Sequence, residues 1–452
     1  LSYTLNGNST TLTYNNLLSK YVVDKVTCKN GTTASWNYEE NSMKLSNIKT
    51  PDYCTINFKD GYSVSLSAGS TGTVSAPITQ STGYNGTVSF TVTPASGYQN
   101  VLETNTCGGT LSGNTYTVSK VTSNKSCSIK FKMPTLAEKL LANNPTIKTR
   151  TSFNTTFTET NTGTLYKATE SIANSPAKDV YYFAGDAKNN WVKFAGFYWR
   201  IIRTNHDGSI RLLYSGTSPD TISGYIGTSA FNSTFNDPMY VGYMYGTRGF
   251  QANNRTNENS STIKTYIDKW YSTNLSSYSK YISTEAVYCN DREVGEGTYT
   301  YPADSTFYYA TYTRLDTNKT PIYNCTNIKD AFSGSNSEAK LTYSIGLMTA
   351  DEIAYAGGKS RTDLPSPYAW YYLNSVGGSI IGDAWWWLIS PMLWGGDASV
   401  VWAVLGSGHP GLLGYGSVGD EHGVRPAISI KADALYSSGD GSPENPYEIV
   451  YN

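Results

Sequence analysis

The 452-residue chain has few charged side chains, few histidines and no long apolar run. Lys, Arg, Asp and Glu together make up 15% of it, and the net charge is −1. Binding to phosphates needs clustered Lys and Arg, so we expect no nucleic-acid partner. No apolar stretch approaches the roughly 20 residues of a membrane-spanning helix. With three histidines and no C-x-x-C pair, we expect neither a metal nor a cofactor.

Tyrosine and small polar residues take the place of the missing charge. The chain has 38 Tyr and 41 Gly, and it is rich in Asn, Ser and Thr. This composition favours β-rich folds with many loops, and it is also typical of binding surfaces, where Tyr provides contact area at low entropic cost. A β-rich surface protein without a specialised binding surface fits the same composition. A chain of this length is expected to form several domains.

The six cysteines fall into three sequential couples, two of which lie in an internal repeat. The first copy reads C-K-N-G-T, M-K-L-S-N-I and C-T-I-N-F-K, and the second reads C-G-G-T-L, Y-T-V-S-K-V and C-S-I-K-F-K. In each copy we expect one cysteine to begin a strand, a hairpin to follow, and the next cysteine to open a closing strand. A third bridge would order the irregular stretch 281–341. Such bridges imply an oxidising, extracellular setting, and the expected pairs are Cys28–Cys54, Cys107–Cys127 and Cys289–Cys325.

These signals predict four segments along the chain. Residues 1–60 and 61–133 are expected to be small all-β domains of an Ig-like or bacterial-repeat kind. Residues 134–149 are expected to be a helical connector, which Pro134-Thr135 opens and Asn144-Pro145 ends. Residues 150–452 are expected to form a larger α+β domain.

Three elements of this larger domain are predicted. The alternation in VKFAGFYWRIIRTNHDGSIRLLYSG predicts one strand over 192–203, a turn at Asp207-Gly208 and a returning strand over 210–214. The apolar spacing in Thr262–Tyr278 predicts a helix. A second helix is expected to begin after Thr349 as N-cap and to end at Gly357-Gly358.

From Trp385 onward, two kinds of residue alternate. One kind is apolar and bulky, as in WWWLISP, and includes Trp402 and the strand over 424–430. The other is a scatter of Gly, Ser, Asp, His, Leu and Tyr with no helical or strand period. Strong anchors with unconstrained residues between them are typical of binding loops laid over a rigid framework.

The phrases WWWLISP, GVRPAISIKAD and GDGSPENPYEI, in that order, resemble the variable proteins of diversity-generating retroelements. Upstream, FAGFYWRIIR, VYCNDREVG, GLMTADEIAYAGG and YYLN match the same group, which is common in gut Firmicutes and their phages. The resemblance covers Arg150 to Asn452. It implies a C-type-lectin-like domain of the formylglycine-generating-enzyme type. It also implies a gene whose last stretch a reverse transcriptase rewrites at adenines.

The resemblance predicts a hypervariable ligand-binding surface at about residues 389–422, supported by the tryptophans. Randomising the adenines of an AAY codon yields mainly small, polar and aliphatic residues and never a stop. Met392, Trp394 and Glu421 fall outside that set; Trp394 is nevertheless the best candidate for surface stacking. The remaining candidates fit the set: Ile389, Leu393, Gly395, Gly396, Asp397, Ala403, Leu405, Ser407, His409, Leu413, Tyr415, Ser417, Gly419, Asp420 and His422.

The sequence lacks the motifs of the catalytic and calcium-dependent relatives of this fold. Formylglycine-generating enzymes use a late cysteine pair, and no Cys follows Cys325, so no catalytic role is expected. Motifs that hold calcium in sugar-binding lectins are not found, and Arg425 is expected to be a buried structural residue. The expected partner is a protein or glycan on another cell, phage or host surface, with the chain attached to its own cell through a segment outside it. The alternative is a fixed-specificity adhesin or carbohydrate-binding lectin.

Overall fold

The computed structural model describes residues 2–6, 9–13, 21–40, 42–173, 175–219, 224–363, 385–406, 409 and 411–451. The chain divides into two compact units, residues 1–134 and 135–452. Strands predominate over helices in both, which confirms a β-rich α+β protein at the level of fold class. Within the described residues, no helix has the length and apolar character needed to cross a membrane.

The first unit consists of β-strands, and both predicted repeats lie in it. Its sheets have the orders β1-β2-β5-β4, β3-β6, β12-β13-β10-β8 and β11-β14-β7-β9. The strands are β1 (Ser2–Asn6), β2 (Ser9–Thr13), β3 (Tyr21–Cys28), β4 (Thr33–Asn37), β5 (Ser42–Ser46), β6 (Cys54–Asp60), β7 (Tyr62–Ser67), β8 (Gly72–Val74), β9 (Thr79–Thr82), β10 (Gly86–Pro94), β11 (Leu102–Asn105), β12 (Thr110–Ser112), β13 (Thr115–Val121) and β14 (Lys125–Phe131).

The disulfides Cys28–Cys54 and Cys107–Cys127 are both present, as predicted. Each closes a loop that contains a hairpin, β4–β5 in the first copy and β12–β13 in the second. The expectation that the first cysteine of each copy begins a strand is wrong. Cys28 ends β3 and pairs directly with Cys54 across the ladder, whereas Cys107 lies in the turn after β11.

Among the described residues, the second repeat has the larger core of the two. Alternate residues of β7, β10, β13 and β14 point between its two sheets and are fully buried, as Phe90, Tyr116 and Ile129 illustrate. This inward-outward alternation follows from the two-residue period of a strand. The result is a small all-β domain whose disulfide joins β14 to the turn after its neighbour β11 and packs against the core.

The second unit contains two larger sheets. The first has the order β15-β17-β18-β21-β22-β34, with β20 beside β21; the second has the order β23-β33-β30-β28-β27, with β31 beside β30 and β32 beside β31. The described strands of this unit are β15 (Thr146–Lys148), β16 (Thr160–Asn161), β17 (Thr164–Glu170), β18 (Lys178–Tyr182), β19 (Asp186–Ala187), β20 (Trp191–Phe194), β21 (Phe197–Thr204), β22 (Ile210–Tyr214), β23 (Thr228–Ala230), β24 (Met244–Tyr245), β25 (Asn259–Ser260), β26 (Tyr288–Cys289), β27 (Val294–Glu296), β28 (Phe307–Tyr309), β29 (Ala331–Phe332), β30 (Trp386–Trp394), β31 (Ser399–Val404), β32 (Leu413–Ser417), β33 (Glu421–Gly423), β34 (Ala427–Ile430), β35 (Tyr436–Ser438) and β36 (Glu448–Ile449). Eight of them form separate two-stranded sheets, β16-β19, β24-β25, β26-β29 and β35-β36.

Short helices accompany these sheets. The α-helices are α1 (Leu136–Asn143), α2 (Gln251–Asn254), α3 (Thr262–Asn274), α4 (Ala310–Tyr312) and α5 (Ala350–Ala356). Turns of 3-10 helix occur at Gly69–Thr71, Pro238–Val241, Ser276–Tyr281 and Ser337–Ala339, and a π-helical turn follows α4 at Thr313–Asn318.

Helix α1 is the predicted connector, and it packs within the second unit. Thr135 caps it in a reciprocal capping box with Glu138. Leu136 and Leu140 are buried in the core of the second unit, and the amide of Leu136 donates to the carbonyl of Ala434. The segment is therefore part of the second unit rather than a separate linker.

The predicted hairpin over 192–214 contains one more turn than expected. Ala195 and Gly196 both have positive φ, 54° and 81°, and this turn splits the expected first strand into β20 and β21. The turn at Asp207-Gly208 is where the sequence places it.

Helix α3 ends at Asn274, four residues before the predicted end, and the chain continues as the 3-10 turn Ser276–Tyr281.

A buried ionic cluster joins α5 to the first sheet of this unit. Thr349 caps α5, as predicted, and it also forms a capping box with Glu352. One carboxylate oxygen of Glu352 also accepts from Arg203 at 2.8 Å and from Arg211 at 3.1 Å, and Arg203 forms two further bonds to Glu170. All four charged side chains are buried. Charges in the interior are tolerated when they are paired and hydrogen-bonded in this way.

Candidate functional site

The solvent-facing side of the second sheet carries one row of half-exposed residues. Four neighbouring strands contribute one residue each, and the ladder sets them directly opposite one another: Tyr308 on β28, Leu393 on β30, Val400 on β31 and Ser417 on β32. Each is partly exposed. Because strands lie about 4.8 Å apart, the row spans roughly 15 Å across the sheet.

The adjacent row on the same strands points the other way and is buried. Phe307, Trp394 and Ser399 lie opposite one another, and their relative exposures are 0%, 3% and 0%. Successive residues of a strand face opposite sides of the sheet. At this end of the sheet one face therefore lies in the core and the other toward solvent, whereas the rest of β30 and β31 is buried on both faces.

Tyr415 extends the solvent-facing row along β32. It lies two positions from Ser417, so it shares that face, and it is 44% exposed. Trp402, its partner across the ladder, is fully buried because α4 covers it, and its indole N–H donates to the Thr311 hydroxyl at 3.2 Å. The side of the sheet that carries the row is therefore exposed at Tyr415 and covered at Trp402.

An aromatic pair and an arginine border this face. The rings of Tyr308 and Tyr312 are stacked, with centroids 4.2 Å apart. The guanidinium of Arg361 lies 5.9 Å from the Tyr312 ring centroid, and its Nε lies 3.3 Å from Asp316. None of these was a candidate in the sequence. The clustered tyrosines of the segment FYYATYTR are the signal that could have identified two of them.

Two turns lie at the same end of β31 and β32. Gly395, Gly396 and Asp397 form the exposed β30–β31 turn, and Gly419 and Asp420 are exposed after β32. The amide of Val418 donates to the Ser399 carbonyl, which joins the two strand ends. Gly396 has φ of 96°, a conformation that favours glycine.

Phe235 is a further exposed aromatic at this end that the sequence did not single out. It is 48% exposed, and a Cβ placed on Gly419 would lie 3.1 Å from its ring. Its carbonyl accepts from the amide of Ser399. The rim of the solvent-facing row therefore includes an aromatic side chain from a distant part of the chain.

Five predicted surface residues lie in the interior instead. Their relative exposures are 0%, 3%, 0%, 8% and 0%, in the order Ile389, Trp394, Ala403, Leu405 and Leu413. Trp394 and Ala403 are on the core-facing side of their strands, and the Trp394 indole N–H donates to the Ala303 carbonyl at 2.9 Å. Leu413 is covered where residues 359–361 pair with its backbone. The prediction that these five face a ligand is wrong.

Two other predicted residues, His409 and His422, lie apart from the solvent-facing row. His409 lies at the far end of the β31–β32 connection, where its Nδ1 is 3.2 Å from the Asp363 carboxylate. His422 packs against Trp385 and Trp387, with centroids 5.0 and 4.4 Å apart. Burial lowers the pKa of His422, against smaller opposing effects of Asp420 and of a hydrogen bond with the Glu421 backbone. Ser407 lies outside the described residues.

The tryptophans and Arg425 provide the rigid support for this segment. Trp386 and Trp387 are buried, and Trp385 is half-buried. Arg425 is fully buried, as predicted; it donates to the Tyr214 carbonyl and lies over the Trp386 ring. Burial, reinforced by Arg200, lowers the pKa of Arg425 to about 9. Such a group is a structural element and not a surface contact.

Comparison of the chain with models of known protein families, with curated proteins and with solved structures gave no match. The disulfides, including Cys289–Cys325 in the second unit, indicate an extracellular or secreted protein.

Proposed function

We propose that the second unit is a C-type-lectin-like ligand-binding domain whose solvent-facing sheet surface is diversified by a retroelement. The observation that supports this most is the contrast between adjacent rows of the second sheet. Leu393, Val400 and Ser417 face solvent, while Trp394 and Ser399, one position along the same strands, are buried. A backbone held by its buried face tolerates exchange on the other face.

Recognition, rather than catalysis, is the activity that this surface supports. Tyr and Arg are the residue types that dominate binding hot spots, and Tyr308, Tyr312, Tyr415 and Arg361 lie on it or at its border. A standard protein interface covers about 800 Å² per partner, so a protein ligand would contact the two turns as well as the row. The proposed partner is a protein or glycan on another cell, phage or host surface.

Comparison of this gene between sibling strains tests the proposal. Differences should fall at adenine positions of a nearby template repeat and concentrate in the codons of exposed residues, as at Leu393, Asp397, Tyr415, Ser417 and Asp420. The codons of Ile389 and Leu413 serve as matched controls, because both residues fit the same codon set but are buried. Equal variation in both groups, or none, would contradict the proposal.

A fixed-specificity adhesin or lectin is the second candidate. Tyr308, Tyr312 and Arg361 favour it, since the two stacked tyrosines and the arginine beside them lie on or beside this surface but outside the segment 389–422. The same comparison of strains separates the two candidates. Sequence differences spread evenly over the gene, with no template repeat, would support the fixed-specificity protein.

A further inference from the structure

A cleft of about 540 Å³ opens on the second unit, away from the solvent-facing row. Its walls come from the loop after β17, the turn between β21 and β22, residues 285–287 and residues 328–337. Pockets for small ligands are typically about 300–1,000 Å³. The cleft is therefore large enough for a molecule the size of a short peptide or a sugar.

The floor of the cleft is apolar and held in place by a disulfide. Ile172, Val287 and Ala331 line it and pack against the Cys289–Cys325 bridge. Ile172 pairs with Cys325 in a β-bridge, and Ala331 pairs with Cys289 in the β26–β29 ladder. A floor fixed in this way loses little entropy when a ligand binds.

The rim of the cleft is polar and carries more acid than base. The carboxylate of Glu285 accepts from the hydroxyls of Ser335 at 2.7 Å and Thr284 at 3.2 Å. The carboxylate of Asp207 accepts from the hydroxyl of Ser283 at 2.6 Å. Because a carboxylate has about four acceptor positions, exposed Glu285 can still accept from a ligand. These hydroxyls fix the orientation of both acids.

Lys178 supplies a positive charge on the same rim. Its ammonium donates to the carbonyl of His206 at 3.1 Å, and an ammonium has three N–H donors. The cleft therefore offers a cation and an oriented carboxylate around an apolar floor. No Tyr, Trp or Phe is among the described residues that line it, so the ring platform typical of sugar sites is not present there.

We propose that this cleft is a second ligand-binding site, for a small molecule that carries a free ammonium group beside short apolar groups, namely a short peptide with a free N-terminus. The ammonium binds Glu285, the small apolar side chains cover Ile172 and Val287, and the carboxylate end binds Lys178. This proposal stands independently of the function proposed above. It concerns other residues and needs no diversification.

Calorimetric titration of the full chain tests this site with three probes: Ala-Ala, N-acetyl-Ala-Ala and glucose. Ala-Ala should bind, and the acetylated peptide should bind about tenfold more weakly or not at all, because acetylation removes the charge that Glu285 recognises. Glucose should not bind. No binding of Ala-Ala, equal binding of both peptides, or binding of glucose instead would overturn the proposal.

Variants locate the site. Glu285→Gln should weaken Ala-Ala binding about tenfold, whereas Glu421→Gln, an exposed glutamate outside the cleft, should not change it. Ser337→Trp, on the exposed rim, should block binding without lowering the unfolding temperature. Tyr415→Ala, which alters the sheet surface, should leave Ala-Ala binding unchanged. Failure of the proposed cleft site and failure of the proposed sheet surface therefore remain distinguishable. Unchanged affinity in Glu285→Gln would show that the peptide binds elsewhere.

Discussion

Tyr415 and Leu413 lie two positions apart on β32, and both fit the diversified codon set, but only Leu413 is buried. Leu413→Ser should lower the free energy of unfolding by about 2–5 kcal/mol, because it leaves a cavity in the core. Tyr415→Ser should change it by less than about 0.5 kcal/mol, as is usual for surface positions. Denaturant unfolding of both variants measures the difference. Similar losses in the two would place Tyr415 in the core as well.

We expect protonation of Glu352 to have the strongest effect of low pH on the free energy of unfolding. Burial alone raises its pKa, but Arg211 and Arg203 more than offset this and hold the pKa below 4.5. A carboxyl with a lowered folded pKa stabilises the protein above its unfolded pKa, and this contribution is lost as pH falls through the folded value. Glu352→Gln should therefore cost about 3–5 kcal/mol at pH 7, and its difference from the wild type should shrink below pH 4.5.

Unfolding curves at several pH values provide the measurement. Glu338→Gln is the matched control, because Glu338 is exposed. A difference between Glu352→Gln and the wild type that stays constant from pH 7 to pH 3 would contradict the assignment of the pairing energy to Glu352.

The codon pattern predicts which residues are permitted to change, but it contains no information on burial. Gly395, Asp397 and Asp420 follow turn chemistry, so their exposure was predictable. Ile389 and Leu413 satisfy the same codon rule and are buried, because burial depends on residues 359–361 and on the sheet register, which are distant in sequence. Trp394 was expected on the surface for a similar reason. Strand alternation shows which residues share a face, but it does not show which of the two faces is buried.

Helix α5 shows what a single cap contributes to an element. The hydroxyl of Thr349 accepts from the Glu352 amide at 3.0 Å. Thr349→Ala should lower the free energy of unfolding by about 1 kcal/mol, whereas Thr349→Ser, which keeps the hydroxyl, should lower it by less. Chemical denaturation resolves such a difference, and equal effects of the two variants would rule out the cap as the cause.

The Cys107–Cys127 bridge should stabilise the second repeat. It closes a loop of 20 residues in sequence separation. Replacing both cysteines by Ser should lower the free energy of unfolding of the first unit by about 2–4 kcal/mol. Adding a reductant to the double variant should lower it further, because the reductant also opens the Cys28–Cys54 bridge of the same unit. Full retention of stability without the bridge would contradict its proposed role.

Elements with strong local signals were predictable, and those shaped by tertiary contacts were not. Thr349 and the Gly357 stop locate α5 because caps are local. The turn at Ala195-Gly196 was missed, since a non-glycine residue with positive φ has no clear signature in the sequence. The end of α3 was placed too late, because the chain continues after Leu275 as a 3-10 turn over Ser276–Tyr281, which apolar spacing does not distinguish from an α-helix.

Each unit of the molecule has its own buried core, one centred on Phe90 and Tyr116 and the other on Trp199, Trp387 and Trp402. Residues 135–452 produced alone should therefore fold cooperatively, since domains with their own core generally do. Circular dichroism and thermal unfolding of this fragment and of residues 1–134 provide the check. A second unit that unfolds without the first would contradict independent folding.

The central claim, that ligand recognition resides on a side of the second sheet that the fold does not need, is tested most directly by two displayed libraries. One randomises Leu393, Asp397, Tyr415, Ser417 and Asp420, and the other randomises Ile389, Trp394, Ala403, Leu405 and Leu413. Protease resistance of the displayed chains reports folding. The account predicts that most members of the first library stay folded and yield binders to new ligands, while most members of the second unfold. Equal folding in both libraries, or loss of folding in the first, would contradict it.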